Sequence, residues 1–115
     1  MARPSAADRL DHILRSIAAI EGYWAGKELS DFSAAINEPL RAATERHLLN
    51  ISEASRHLPD QDKLSLPSIP WREIAGIGNI LRHGYDVIDD RRIWDMVQAD
   101  LDPLKAAIEA IRAGH

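Results

Sequence analysis

One segment, residues 71–85, interrupts an otherwise regular helical pattern with polar side chains that are capable of chemistry. If the segment is a helix, Asn79 and His83 lie one turn apart and Arg72 falls along the same side. The apolar stripe lies on a different side and contains Ile74, Ile77, Leu81 and, less squarely, Ile80. A histidine and an amide would then face the same space, and we expect function to be located there.

The same segment contains Gly76 and Gly78 at positions where a helix would favour alanine. Each glycine should cost about 1 kcal/mol relative to alanine. This cost indicates that something approaches the helix closely or needs its backbone uncovered. Tight packing of a neighbouring helix is the simpler explanation.

Length and composition predict one globular domain that spans residues 1–115. The chain is 45% hydrophobic and 28% charged, and it contains no cysteine, which excludes disulfides and thiolate metal sites. A signal peptide and a membrane-spanning segment are not evident, so we expect a soluble, cytoplasmic protein without membrane association. The net charge of -4 argues against nonspecific adhesion to nucleic acid, although a local phosphate site stays compatible with it.

Helical spacing of apolar residues runs through most of the chain, and no alternating strand pattern interrupts it. Ser5 should cap a first helix that ends near Ala25, before Gly26, and Pro39 should begin a long third helix. The expected stripe of that third helix is Leu40, Ala43, Thr44, His47, Leu48, Ile51, Ala54, Ser55 and Leu58.

The remaining segments complete an all-α prediction. Ser30 should cap a short helix, and the proline-rich residues 59–70 should form one long loop. Asp89 or Asp90 should cap a last helix, which Pro103 should kink because proline removes a backbone donor. We therefore predict an up-and-down helical bundle of four longer helices plus a short one.

Other site chemistries are poorly matched by the sequence. The five histidines do not have a His or carboxylate neighbour at the spacing of a helical-bundle metal site, so no metal and no cofactor are predicted; they are His12, His47, His57, His83 and His115. His47 lies on the buried stripe of its helix and is expected to be a hydrogen-bonded core histidine. A thiol nucleophile, a Gly-x-Ser-x-Gly turn and a phosphate-binding loop after a strand are all missing.

Four blocks of the chain resemble one family, the HepT-like HEPN proteins, which are the toxin partners of minimal nucleotidyltransferases. Residues 70–76, 79–85 and 93–95 resemble the family's C-terminal signature. Residues 46–59 contain Ile-Ser-Glu-Ala and are similar to a block that usually reads Ile-Gly-Glu-Ala and ends in Leu-Pro. Blocks at the correct separation are a more specific signal than any single block. The resemblance implies an all-helical bundle that dimerises.

The family's working motif is an arginine, usually followed by asparagine, with a histidine five positions after the arginine and a tyrosine two positions later. Asn79, His83 and Tyr85 match this motif, whereas Gly78 occupies the position of the arginine. The resemblance implies metal-independent cleavage of RNA at a site formed by both protomers of a homodimer, with His83 moving protons. Arg82, one turn after Gly78, either replaces the missing guanidinium or is a solvated surface charge.

In the resembling family, this tyrosine is where the nucleotidyltransferase antitoxin attaches AMP, which blocks toxicity. Tyr85 is thus either the modification site or a tyrosine that packs its ring near a helix end. The resemblance leaves two functions open. One is a ribonuclease toxin of a type VII toxin-antitoxin pair, and the other is a degenerate HEPN domain that binds the nucleotidyltransferase.

Overall fold

A computed structural model describes residues 5–83 and 90–114, without the side chains of residues 82 and 83. This part of the chain contains six α-helices, four of them long, and no β-strand, so the predicted all-α fold is confirmed. A 3₁₀ turn at Ala35–Asn37 precedes the third helix. The helices are α1 (Ala6–Trp24), α2 (Leu29–Ser33), α3 (Glu38–Arg56), α4 (Asp60–Leu64), α5 (Trp71–His83) and α6 (Asp90–Ala113).

The first helix begins at the predicted cap. The Asp8 N–H donates to Ser5 Oγ at 3.1 Å, and the Ser5 N–H donates to the Asp8 carboxylate at 3.1 Å. These two reciprocal bonds form a capping box, and the hydrogen bonds from Ser5 lower the pKa of Asp8. The helix ends before Gly26, which has a φ of 72° that glycine adopts without strain.

Two short helices are present where one was predicted. The second helix begins after Glu28 rather than Ser30, and the Glu28 N–H donates to the Asp31 carboxylate at 2.8 Å. The proline-rich segment also contains α4, which starts directly after Pro59 and has Asp60 in its first turn. A carboxylate there is favoured by the positive end of the helix dipole. The sequence prediction missed this helix because the prolines of the segment indicated a loop.

The last helix contains 24 residues and continues through Pro103, which lies inside it as predicted, and the kink expected there stays a prediction. Asp90 is its first residue, and Asp89 lies outside the described residues. Across the described residues, the helices are too short or too polar to span a bilayer.

The bundle is built around α1 and α3. Helix α3 packs against α1 on one side and against α5 on the other, while α6 packs against α1 and α2. Along α1, the predicted apolar face forms the centre of the core, with Leu10, Ile13, Ile17 and Ile20 all fully buried. The sequence of packed neighbours is therefore α5, α3, α1 and α6.

Polar groups between α1 and α3 are paired. The His47 Nε2 atom lies 3.2 Å from Tyr23 Oη, and its Nδ1 atom lies 3.3 Å from Ser16 Oγ. The half-buried imidazole therefore has partners at both nitrogens, as expected for a core histidine. Trp24 Nε1 donates to Thr44 Oγ1 at 2.8 Å and links the same two helices.

Candidate functional site

The start of α5 is fixed by its first side chain. Trp71 Nε1 donates to the carbonyl oxygens of Lys63 and Leu66, at 3.1 Å in both cases. The apolar face of the helix then turns inward, because Ile74 and Ile77 are buried. Arg72, Glu73 and Asn79 are exposed and form an outer side of α5.

That outer side contains the first predicted site residue. Asn79 is exposed, and His83 is the last residue of α5, one turn further along the helix. The side chains of Arg82 and His83 are not described, and Tyr85 lies outside the described residues. The structure thus places Asn79 and the backbone of His83 on one helix, as the spacing predicted.

Gly78 faces the neighbouring helix of its own chain. It is buried, and its N–H donates to Ser52 Oγ on α3 at 3.0 Å. Ser52 in turn donates its hydroxyl to the carbonyl oxygen of Ala75 at 2.8 Å. This close approach supports tight packing of a neighbouring helix as the explanation for Gly78.

Gly76 is different. A Cβ atom added there would have no described atom of neighbouring parts of the chain within 4 Å. The residue lines an apolar groove of about 260 Å³ between α5 and α6, which are not closely packed neighbours in the described part of the chain. The groove is also lined by Pro70, Glu73, Ile74, Ile77, Ile80, Arg92, Met96 and Asp100.

A contact between Arg56 and the backbone of α5 shows the direction of that helix. The guanidinium of Arg56 donates to the Ala75 carbonyl from Nε at 3.1 Å and from Nη2 at 2.9 Å. Because Arg56 meets Ala75 and the earlier Ser52 meets the later Gly78, α3 and α5 are antiparallel. The C-terminal end of α5 therefore lies towards the N-terminal half of α3.

An acidic group occupies that half of α3. The pKa of Glu45 is raised, first by burial and then by the negative charge of Asp90, while Arg41 acts in the opposite direction. Arg41 Nε lies 4.0 Å from the Asp90 carboxylate, and its Nη1 donates to the Phe32 and Ala34 carbonyls. The beginning of α6 is thereby connected to α2 and α3 at the end of the bundle where α5 terminates.

The sequence prediction missed Ser52. Its position, four residues after Leu48 and three before Ser55, extends the i, i+3, i+4 pattern, so the spacing alone could have identified it as a helix-contacting residue. Metal binding gains no support, since the described residues do not contain a group of three or more His, Cys, Asp or Glu side chains arranged to hold an ion.

Comparison with known proteins identifies relatives that are named as ribonucleases. A family model described as "Ribonuclease HepT-like" matches residues 13–111. A Thermococcus cleftensis protein named "Probable ribonuclease HepT" is 34% identical over 105 residues, which cover 91% of this chain and 94% of that protein. A Methanocaldococcus jannaschii protein named as a candidate RNase is 36% identical over 75 residues, 65% of this chain and 69% of that protein. No solved structure matches the chain.

Proposed function

Because the chain belongs to the HepT-like ribonuclease family, we propose that it is a metal-independent endoribonuclease and the toxin of a type VII toxin-antitoxin pair in the cytoplasm. The observation that carries the proposal is the exposed Asn79 on α5, one helical turn before His83 at the end of that helix. These are two motif residues of the family, and the exposure of Asn79 supports a site that is open to an RNA strand.

The reaction needs a proton carrier and a stabiliser of phosphate charge. His83 accepts the proton of a 2′-hydroxyl, whose oxygen attacks the adjacent phosphorus, and the bond from phosphorus to the 5′-oxygen breaks. The leaving 5′-oxygen takes up a proton from water, and His83 later releases its proton to solvent, which yields a cyclic phosphate and a 5′-hydroxyl. Asn79 contributes hydrogen bonds that orient the strand.

A cation is needed to stabilise the negative charge on the phosphate, and Gly78 does not supply the guanidinium that the family motif has at this position. Arg82 lies four residues further, about 40° around the helix and one turn along it, so its side chain could supply the charge. The other possibility is that Arg82 is a surface charge beside a weakened site. The two possibilities predict different effects of Gly78→Arg on the rate of RNA cleavage.

The direct test is cleavage of single-stranded RNA by the purified protein in EDTA, with His83→Ala as the matched control. We expect cleavage that EDTA leaves intact and that the variant loses, since the proposed chemistry uses side chains alone. Cleavage that persists at the same rate in His83→Ala would indicate a contaminating nuclease. Absence of cleavage in both would favour a catalytically degenerate HEPN domain that serves as a nucleotidyltransferase-binding module.

A homodimer is the proposed active form, with each protomer contributing to a composite site. The groove between α5 and α6 supports it, because the described residues leave its apolar surface open and its lining includes charges of both signs, from Glu73, Asp100 and Arg92. A two-fold interface places the same patch against itself, so a surface with both signs of charge can be self-complementary.

Sedimentation equilibrium at tens of micromolar should give twice the 12.8 kDa chain mass. Ile80→Arg, which places a charge in the groove, should shift the protein towards monomer. The control is Leu64→Arg, at a leucine that is 76% exposed on α4 and lies outside this groove. A wild-type protein that sediments as a monomer would exclude the proposed composite site.

Tyr85 is the proposed site at which a minimal nucleotidyltransferase antitoxin attaches AMP. An adenylate on this residue would add a negative charge two positions from His83, where it would repel RNA phosphate. Intact-mass spectrometry after incubation with a partner enzyme and ATP should show one added AMP on the wild type and none on Tyr85→Phe. Equal labelling of both proteins would place the modification elsewhere.

A further inference from the structure

Ser52 makes an unusual connection between α3 and the helix that carries the proposed site. The side chain is 1% exposed, and its hydroxyl donates to the Ala75 carbonyl while accepting the Gly78 N–H. One oxygen atom therefore contacts two backbone groups of α5 that are three residues apart. Gly78 immediately precedes Asn79 in the chain, and Ala75 lies one helical turn before it.

Two contact points on one helix restrain both its position along its own axis and its rotation about that axis. Each residue of an α-helix rises about 1.5 Å and turns about 100°, so a one-residue slip of α5 would turn Asn79 and His83 to another side. Apolar packing of Ile74 and Ile77 is not directional, and it resists such a slip less strictly than hydrogen bonds with defined geometry.

The contact is specific to this one hydroxyl among the neighbouring serines of α3. Ser55 is also buried, but its hydroxyl donates to the Ser52 carbonyl at 2.8 Å, within its own helix. Arg56 also contacts α5, yet its side chain is exposed and both of its hydrogen bonds go to the single carbonyl of Ala75. Ser52 is thus the residue whose bonds span the turn that precedes the site.

We propose that Ser52 is a positioning residue for the site on α5, because its hydroxyl sets the angle at which Asn79 and His83 face the RNA. The proposal rests on the proposed ribonuclease function. Ser52 is buried, so it acts through the α5 backbone and does not touch the substrate.

The test compares Ser52→Ala with Ser55→Ala in steady-state cleavage of RNA. Misplacement of catalytic groups by about 1 Å can cost up to a hundredfold in rate, so we expect Ser52→Ala to lower kcat about tenfold or more with KM unchanged. Ser55→Ala should retain wild-type kcat and KM. Folding should survive in Ser52→Ala, because the backbone groups that it frees also have partners within α5.

Magnetic resonance gives a readout that does not depend on RNA cleavage. In Ser52→Ala, the signals of the Asn79 side-chain amide and the His83 ring should shift, whereas in Ser55→Ala they should stay in place. Should Ser52→Ala unfold, Ser52→Cys keeps the volume without a strong hydroxyl and allows the same measurements.

The two proposals can fail separately. An inactive wild-type protein in which Ser52→Ala still shifts the Asn79 and His83 signals would refute the ribonuclease function and leave the positioning role standing. An active wild-type protein in which Ser52→Ala changes neither kcat nor these signals would refute the positioning role alone.

Discussion

Gly78→Arg should raise the rate of RNA cleavage by about one to three orders of magnitude, since removal of one donor from an oxyanion-type site costs about a hundredfold to a thousandfold. The substitution returns a guanidinium to the position at which the family motif has one. Cleavage of single-stranded RNA under single-turnover conditions measures the gain, because product release does not then limit the rate.

The structure around Gly78 affects how well an arginine can be accommodated at this position. Gly78 is buried against α3, and its N–H donates to Ser52. The side chain of an arginine at position 78 would therefore have to extend past α3 to reach the surface. The family block usually has glycine where this chain has Ser52, so the two positions that depart from the family pattern contact each other. Arginine itself is a better helix former than glycine, by roughly 1 kcal/mol.

The double variant Ser52→Gly, Gly78→Arg should therefore have a higher melting temperature than Gly78→Arg alone, because glycine at position 52 leaves more space for the arginine. If Arg82 already supplies the charge, Gly78→Arg adds little and Arg82→Ala abolishes cleavage. Folded, dimeric variants that are all inert would refute ribonuclease activity and leave the fold and family membership intact.

His83→Ala should lower kcat by about two to four orders of magnitude, which is the usual contribution of a positioned general acid or base. Substrate binding should change much less, because the imidazole acts chiefly on the proton being transferred. Rapid-quench measurement of a single RNA bond cleavage separates the two effects.

His57→Ala is the matched control for this prediction. His57 follows the C-terminal end of α3, bonded to Glu53 at 3.1 Å, and that end lies towards the beginning of α5 rather than its end. Its loss should leave the cleavage rate unchanged. Equal losses in the two variants would mean that His83 has no special role in proton transfer.

Much of the fold follows from local rules that a sequence exposes. The spacing of Leu10, Ile13 and Ile17 predicts an amphipathic first helix, and the pairing of Ser5 with Asp8 gives its start. Pro39 marks the start of α3 for an equally local reason, since proline is tolerated in the first turn of a helix. The predictions that failed were also local, namely the Ser30 cap and the absence of a helix after Pro59.

The candidate site was predictable only in part. The four-residue spacing placed Asn79 and His83 on one helix, and the roles that the motif match gives them stay predictions. Spacing could not distinguish Gly76 from Gly78, because both are glycines in the same helical segment. The structure separates them, with Gly78 against α3 and Gly76 on the groove towards α6.

The sequence by itself determined the all-α class, the limits of the long helices and the family's motif residues, since these depend on periodicity and on residue identity. Tertiary structure alone decided which helix meets which. Ser52 and Gly78 are 26 positions apart, and the bond between them exists because α3 and α5 pack antiparallel. Contacts between distant residues depend on the packing of whole helix faces, a property that no short stretch of sequence contains.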